Sequence, residues 1–92
     1  MTTREKLMKL LADKYNGMFL RTTEEFHGGS AGIWSSGESF LSAKDGFNLF
    51  DYYTDNYNRY EFGVHNELVA FLDKHGWYAE WHDPGTIMFY PA

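Results

Sequence analysis

The chain has 92 residues, 20% of them aromatic, a net charge of −5 and no cysteine. That length holds one domain with one core, the missing thiols exclude disulfide staples and thiolate metal sites, and the acidic balance disfavours direct nucleic-acid binding. No stretch approaches the ~20 apolar residues of a membrane span, and Lys9 and Asp13 interrupt the apolar run that a signal peptide needs, so a cytoplasmic protein without membrane contact is expected.

Thr2 or Thr3 opens the first predicted helix, and Thr2 with Glu5 has capping-box spacing. Leu7, Met8, Leu10, Leu11 and Tyr15 recur at helical intervals, so the helix is placed at about residues 3–16, stopped by Asn16-Gly17. Met18–Thr23 reads as a strand. Residues 24–32 hold three glycines in five positions and read as a loop. Ile33-Trp34 is a short strand candidate, turned by Ser35-Ser36-Gly37. Glu38–Ala43 and Phe47–Tyr53 form a predicted hairpin around Lys44-Asp45-Gly46, because Asp-Gly favours the tight turn.

Thr54–Gly63 mixes turn formers with tyrosines and gives no single reading. A second helix is predicted at about residues 64–75, where Val64, Leu68, Phe71 and Leu72 form one stripe and His75-Gly76 closes it. Trp77–His82 and Thr86–Tyr90 pair around Asp83-Pro84-Gly85. In that hairpin Trp77, Ala79, Trp81, Ile87 and Phe89 face the core, and Tyr78, Met88 and Tyr90 face away. The expected fold is a single α+β domain over residues 1–92, in the order α-β-β-β-β-α-β-β. Its antiparallel sheet has about five to six strands, with two helices on one face and the other face solvated or paired with a second copy.

Charge and aromatic mass are unevenly spread. Residues 1–44 carry six Lys/Arg against five Asp/Glu, whereas residues 45–92 carry two against eight and hold 13 of the 18 rings. The densest stretch, Asp51 to Phe62, has five rings and three acids with Arg59 as its only base. Tyrosine and arginine are enriched where proteins bind one another. Asp51, Tyr53, Asp55, Tyr57, Arg59, Tyr60 and Glu61 are therefore the candidate protein-binding residues, with a basic protein as the fitting partner. The competing reading packs alternate tyrosines under the second helix; it is favoured for Tyr52 and Phe62.

No pattern of catalytic residues stands out. His27, His65, His75 and His82 lack metal-site spacing, although Glu61 and His65 would share a face if the second helix began early. Gly28-Gly29-Ser30-Ala31-Gly32 lacks the lysine and following helix of a phosphate loop. Ser30 beside His27 lacks an orienting acid. No metal or cofactor is expected. The leading functional expectation is a small non-enzymatic binding or inhibitory accessory protein. Its alternatives are a small enzyme or ligand binder near the glycine-rich loop, and a structural subunit of a homo-oligomer such as a homodimer.

Overall fold

A computed structural model of the chain describes residues 2–27 and 31–92. Of the glycine-rich loop read at residues 24–32, Gly28, Gly29 and Ser30 lie outside the described residues. Helix α1 spans Arg4–Lys14. Its N-cap is Thr3, whose hydroxyl accepts the Lys6 amide at 3.3 Å, satisfying one of the amides that a helix start leaves open. Thr2, the expected capping-box residue, binds the far end of the chain instead. Its amide donates to the His75 carbonyl at 3.0 Å, its hydroxyl pairs with His75 Nδ1 at 2.7 Å, and its carbonyl accepts the Trp77 indole N–H at 2.7 Å. Gly17 ends the helix in the left-handed region, φ +87°, as its position predicts.

Strand β1 is only Arg21–Thr22, because the chain turns at Thr23 into a short helix, α2 (Thr23–His27), where strand end and loop were expected. The cause is local. Thr22 and Glu25 have capping-box spacing, and the Glu25 carboxylate accepts the Thr22 amide at 3.2 Å. The remaining elements are β2 (Ile33–Ser36), β3 (Tyr60–Glu61), β4 (Val64–His65), α3 (Asn66–Lys74), β5 (Trp77–Asp83) and β6 (Thr86–Pro91). The fold is α+β, with an antiparallel sheet of four strands in the order β1-β2-β6-β5 and a separate pair, β3-β4.

The turn predicted at Lys44-Asp45-Gly46 forms, but the strands on either side do not. Ala43 donates to the Phe47 carbonyl at 2.8 Å and Gly46 takes φ +88°, yet Ser42↔Asn48 is an isolated bridge. The return limb leaves its expected partner and joins the β3-β4 pair. His65 donates to the Leu49 carbonyl and Asp51 to the Gly63 carbonyl, both at 2.8 Å. Helix α3 begins at Asn66, not before His65, so Glu61 and His65 sit on opposite limbs of a hairpin rather than on one helical face.

The β5–β6 hairpin has the expected register: Ala79↔Phe89 and Trp81↔Ile87 share one face, Tyr78↔Tyr90 the other. Leu7 and Leu11 from α1 and Leu68 and Leu72 from α3 are buried with Ile33, Trp77, Ile87 and Phe89 in one cluster, so these two helices share a face as predicted. The opposite face is neither fully solvated nor bare. Phe26 of α2 meets Trp34 and His82, each at 4.9 Å between ring centroids, and so bridges β2 and β5 across β6. Met88, expected to face outward, is 2% exposed on this side.

Between β3 and β4 the chain reverses in two residues that both have positive φ, Phe62 at +49° and Gly63 at +78°, the backbone of a tight hairpin turn. A Cβ on Gly63 would stand 2.9 Å from the Asp51 carbonyl oxygen, whereas one on Gly17 would meet nothing within 4 Å. Urea denaturation should therefore separate the two alanine variants. Gly17→Ala should lose about 1 kcal/mol from left-handed strain alone. Gly63→Ala should lose about 2–4 kcal/mol, because strain is joined by a backbone clash that no rotamer relieves.

Candidate protein-binding surface

Residues 39–59 contain no regular strand or helix, and side chains fasten the segment alongside scattered backbone bonds. Asp45 Oδ1 accepts the Phe47 amide at 3.0 Å, while Oδ2 binds His65 Nε2 at 2.9 Å and pairs with the Arg59 guanidinium. Glu67, in the first turn of α3, accepts the Lys44 amide at 2.9 Å and the Tyr15 hydroxyl at 2.6 Å. His65 lies between the two carboxylates as the N-cap of α3. Its Nδ1 accepts the Glu67 amide at 3.0 Å, so the tautomer that fits carries hydrogen on Nε2 and donates it to Asp45. With both nitrogens engaged, this imidazole keeps none for a substrate or a metal. Among the described residues no group of three or more His, Asp or Glu gathers to hold a metal ion.

The Phe47 amide, His65 and Arg59 hold the Asp45 carboxyl well below its usual range, at about 2. Burial pushes the Glu67 carboxyl up, but the bonds from Tyr15 and Lys44 outweigh it and the net shift is downward. Burial, with Glu67 beside it, pushes the Tyr15 phenol up, so it stays a hydrogen-bond donor.

This frame divides the seven candidate residues. Tyr53 and Tyr57 are 81% and 79% exposed, and Asp51, Asp55 and Glu61, close to them in sequence, are exposed as well. Arg59 is half-buried: it pairs with Asp45 and stacks on Phe47, 3.8 Å from the ring centroid, so it belongs to the frame. Tyr60 does not join the surface. It is 5% exposed and its hydroxyl donates to the Asn48 carbonyl at 2.6 Å. The ring expected to pack instead, Phe62, is 87% exposed. Strand alternation turns Tyr60 inward and Glu61 outward, and the turn then throws Phe62 into solvent. The signal for this was Gly63, since an X-Gly pair between two short β-prone runs marks a hairpin.

Rings connect this surface to the core edge-to-face. Tyr53 meets Tyr52 and Tyr52 meets Trp81, each at 5.0 Å, and Trp81 meets Phe50 at 6.0 Å. The Trp81 indole N–H donates to the Phe62 carbonyl at 2.6 Å. The hairpin tip is thus tied to β5, and Tyr53 rests on Trp81 through Tyr52. Among the other histidines, His75 caps the C-terminus of α3 and holds Thr2, and His82 packs on Phe26.

No protein-family model matches the chain, and neither a curated protein nor a solved structure matches it. Among the described residues no helix is long and apolar enough to cross a membrane.

The depressed Asp45 value gives a pH test with a defined sign. A carboxyl that ionises more readily folded than unfolded adds stability above its unfolded value, 3.8, and loses it as pH falls toward about 2. Asp45→Asn should therefore be less stable than the parent above pH 4. The gap should close progressively down to pH 2, as measured by urea midpoints of both proteins across that range.

Proposed function

We propose that this protein is a small non-enzymatic binding module, an accessory or inhibitory protein that docks on another protein through the acidic, aromatic face of Asp51–Phe62. Tyr53, Tyr57 and Phe62 supply rigid apolar contact area. Asp51, Asp55 and Glu61 lie among them and suit the lysines and arginines of a basic partner.

The observation that carries this reading is Phe62. A non-glycine residue in the left-handed region carries a strain of roughly 1–2 kcal/mol, and asparagine or glycine is the usual occupant of such a turn. Here the position holds a phenylalanine whose ring gains no burial in return, being 87% exposed. The turn backbone serves the fold, since the Phe62 carbonyl accepts the Trp81 indole N–H, but nothing in the fold calls for the phenyl ring, and strained positions cluster where side chains meet a ligand or partner.

Affinity capture from extracts of the source cells tests the reading, with the parent chain and a Tyr53→Ala/Tyr57→Ala/Phe62→Asn variant as matched baits. The variant should fold at least as stably as the parent. Exposed tyrosines are worth within about 0.5 kcal/mol each, and asparagine relieves up to about 1 kcal/mol of turn strain. A protein recovered with the parent should fall at least tenfold with the variant. Undiminished recovery with a folded variant would remove this face as the docking surface.

A further inference from the structure

The longest strand at a sheet edge in the described fold is β5, which pairs only with β6. The ladder fixes which of its backbone groups are free. Ala92 donates to the Gly76 carbonyl at 2.8 Å, one step beyond Trp77↔Pro91. Bonded and non-bonded pairs alternate in an antiparallel ladder, so Tyr78↔Tyr90 and Glu80↔Met88 exchange the hydrogen bonds. The N–H and C=O groups of Trp77, Ala79 and Trp81 then point away from β6. The far side of β6 agrees: Gly37 donates to the Gly85 carbonyl at 3.0 Å, and Ser35↔Ile87 and Ile33↔Phe89 follow at two-residue steps. Among the described residues, no backbone bond outside the sheet uses the outward groups of Trp77, Ala79 or Trp81.

Beside this edge runs a groove of about 420 Å³ between β5, α3 and the β3–β4 turn. Val69, Ala79 and Trp81 give it an apolar floor, Glu61 and Asp73 stand on its walls, and no lysine or arginine lines it. On the other face of the strand Glu80 is exposed. A row of outward amides next to an apolar trough is the arrangement that strand addition uses: backbone bonds supply affinity and alternate side chains fill the trough.

We propose that the β5 edge and this groove take up an extended segment of a partner protein as an added strand, with apolar residues turned into the groove and lysine or arginine at the alternate positions. The inference rests on the reading of the chain as a protein-binding module, and its groove adjoins the tyrosine face, sharing Glu61 and Phe62 with it. Charge selects the occupant. Acids stand on both faces of the strand, whereas a second copy of this chain would bring the same carboxylates and another net charge of −5 to the same edge.

The test titrates the ¹⁵N-labelled full chain with three capped decapeptides: alternating Val-Lys, alternating Val-Glu, and Val-Lys N-methylated at every second residue. The Val-Lys peptide should shift the amide resonances of Trp77, Ala79 and Trp81. The Val-Glu peptide should bind at least tenfold more weakly, and the N-methylated peptide should not bind. Asp73→Lys with Glu80→Lys, both exposed and outside Asp51–Phe62, should reverse the preference between lysine and glutamate peptides. Ala79→Pro removes an outward amide that the sheet does not use, and should fold yet lose the peptide.

No shift at millimolar peptide would overturn the proposal. So would shifts confined to Tyr53 and Tyr57, which would leave the tyrosine face standing without the edge. Hydrogen-exchange protection of Trp77, Ala79 and Trp81 that rises with protein concentration alone would assign the edge to a second copy and overturn it as well.

Discussion

At the junction of β4 and α3 one neutral imidazole joins three parts of the chain. His65 is 6% exposed, and a polar ring so buried destabilises the fold by about 1–3 kcal/mol if left unpaired. It is paired at both nitrogens, to the Glu67 amide that begins α3 and to the Asp45 carboxylate that closes the 43–47 turn. Glu67 completes the arrangement from the other side by holding Lys44 and Tyr15. Two carboxylates and one imidazole therefore set the start of a nine-residue helix, the end of α1 and the path of an irregular segment at once. A helix of that length is marginal alone, so its position depends on this cap and on the burial of Leu68 and Leu72.

Residues 39–59 are consequently ordered by side-chain bonds and scattered backbone bonds rather than by a regular strand. The arrangement frees the segment from strand alternation, which would have buried every second ring. Instead Phe50 goes inward, Tyr52 lies along Trp81, and Tyr53 and Tyr57 remain outside, while the β3–β4 hairpin that follows turns Tyr60 in and Phe62 out. A chain of 92 residues has a small core, and its surplus aromatic mass is carried on this face and on the sheet side covered by Phe26.

What could be read in the sequence tracks how local its cause is. The β5–β6 hairpin, the stop signals at Gly17 and Gly76 and the Leu68, Phe71 and Leu72 part of the α3 stripe each follow from a few adjacent residues and formed as expected, whereas Val64, read into that stripe, lies in β4. The 38–53 hairpin did not. Its Asp-Gly turn is a local preference and survived, but its return limb is captured by β4, a partner that no local pattern names. Helix α2 has a local signal too, since Thr22 and Glu25 spell a capping box across the boundary between the expected strand and the glycine-bearing loop. In the candidate site, the exposure of Tyr53 and Tyr57 among acids agrees with the composition. The exchange of roles between Tyr60 and Phe62 does not follow from composition, because it depends on the parity set by the Phe62-Gly63 turn. Arg59, a candidate for recognition, is consumed by Asp45 across fourteen residues of chain.

Trp81 links the two proposed surfaces into one. Its indole forms part of the groove floor beside β5, its N–H holds the Phe62 carbonyl, and its ring edge meets Tyr52, which in turn meets Tyr53. A strand laid along β5 would therefore lie against the same tryptophan that braces the exposed tyrosine face. The strain at Phe62 also acquires a structural role in this geometry. The left-handed backbone that throws the ring outward is the same conformation that aims its carbonyl at Trp81, so turn, groove and tyrosine face are positioned by one short piece of backbone.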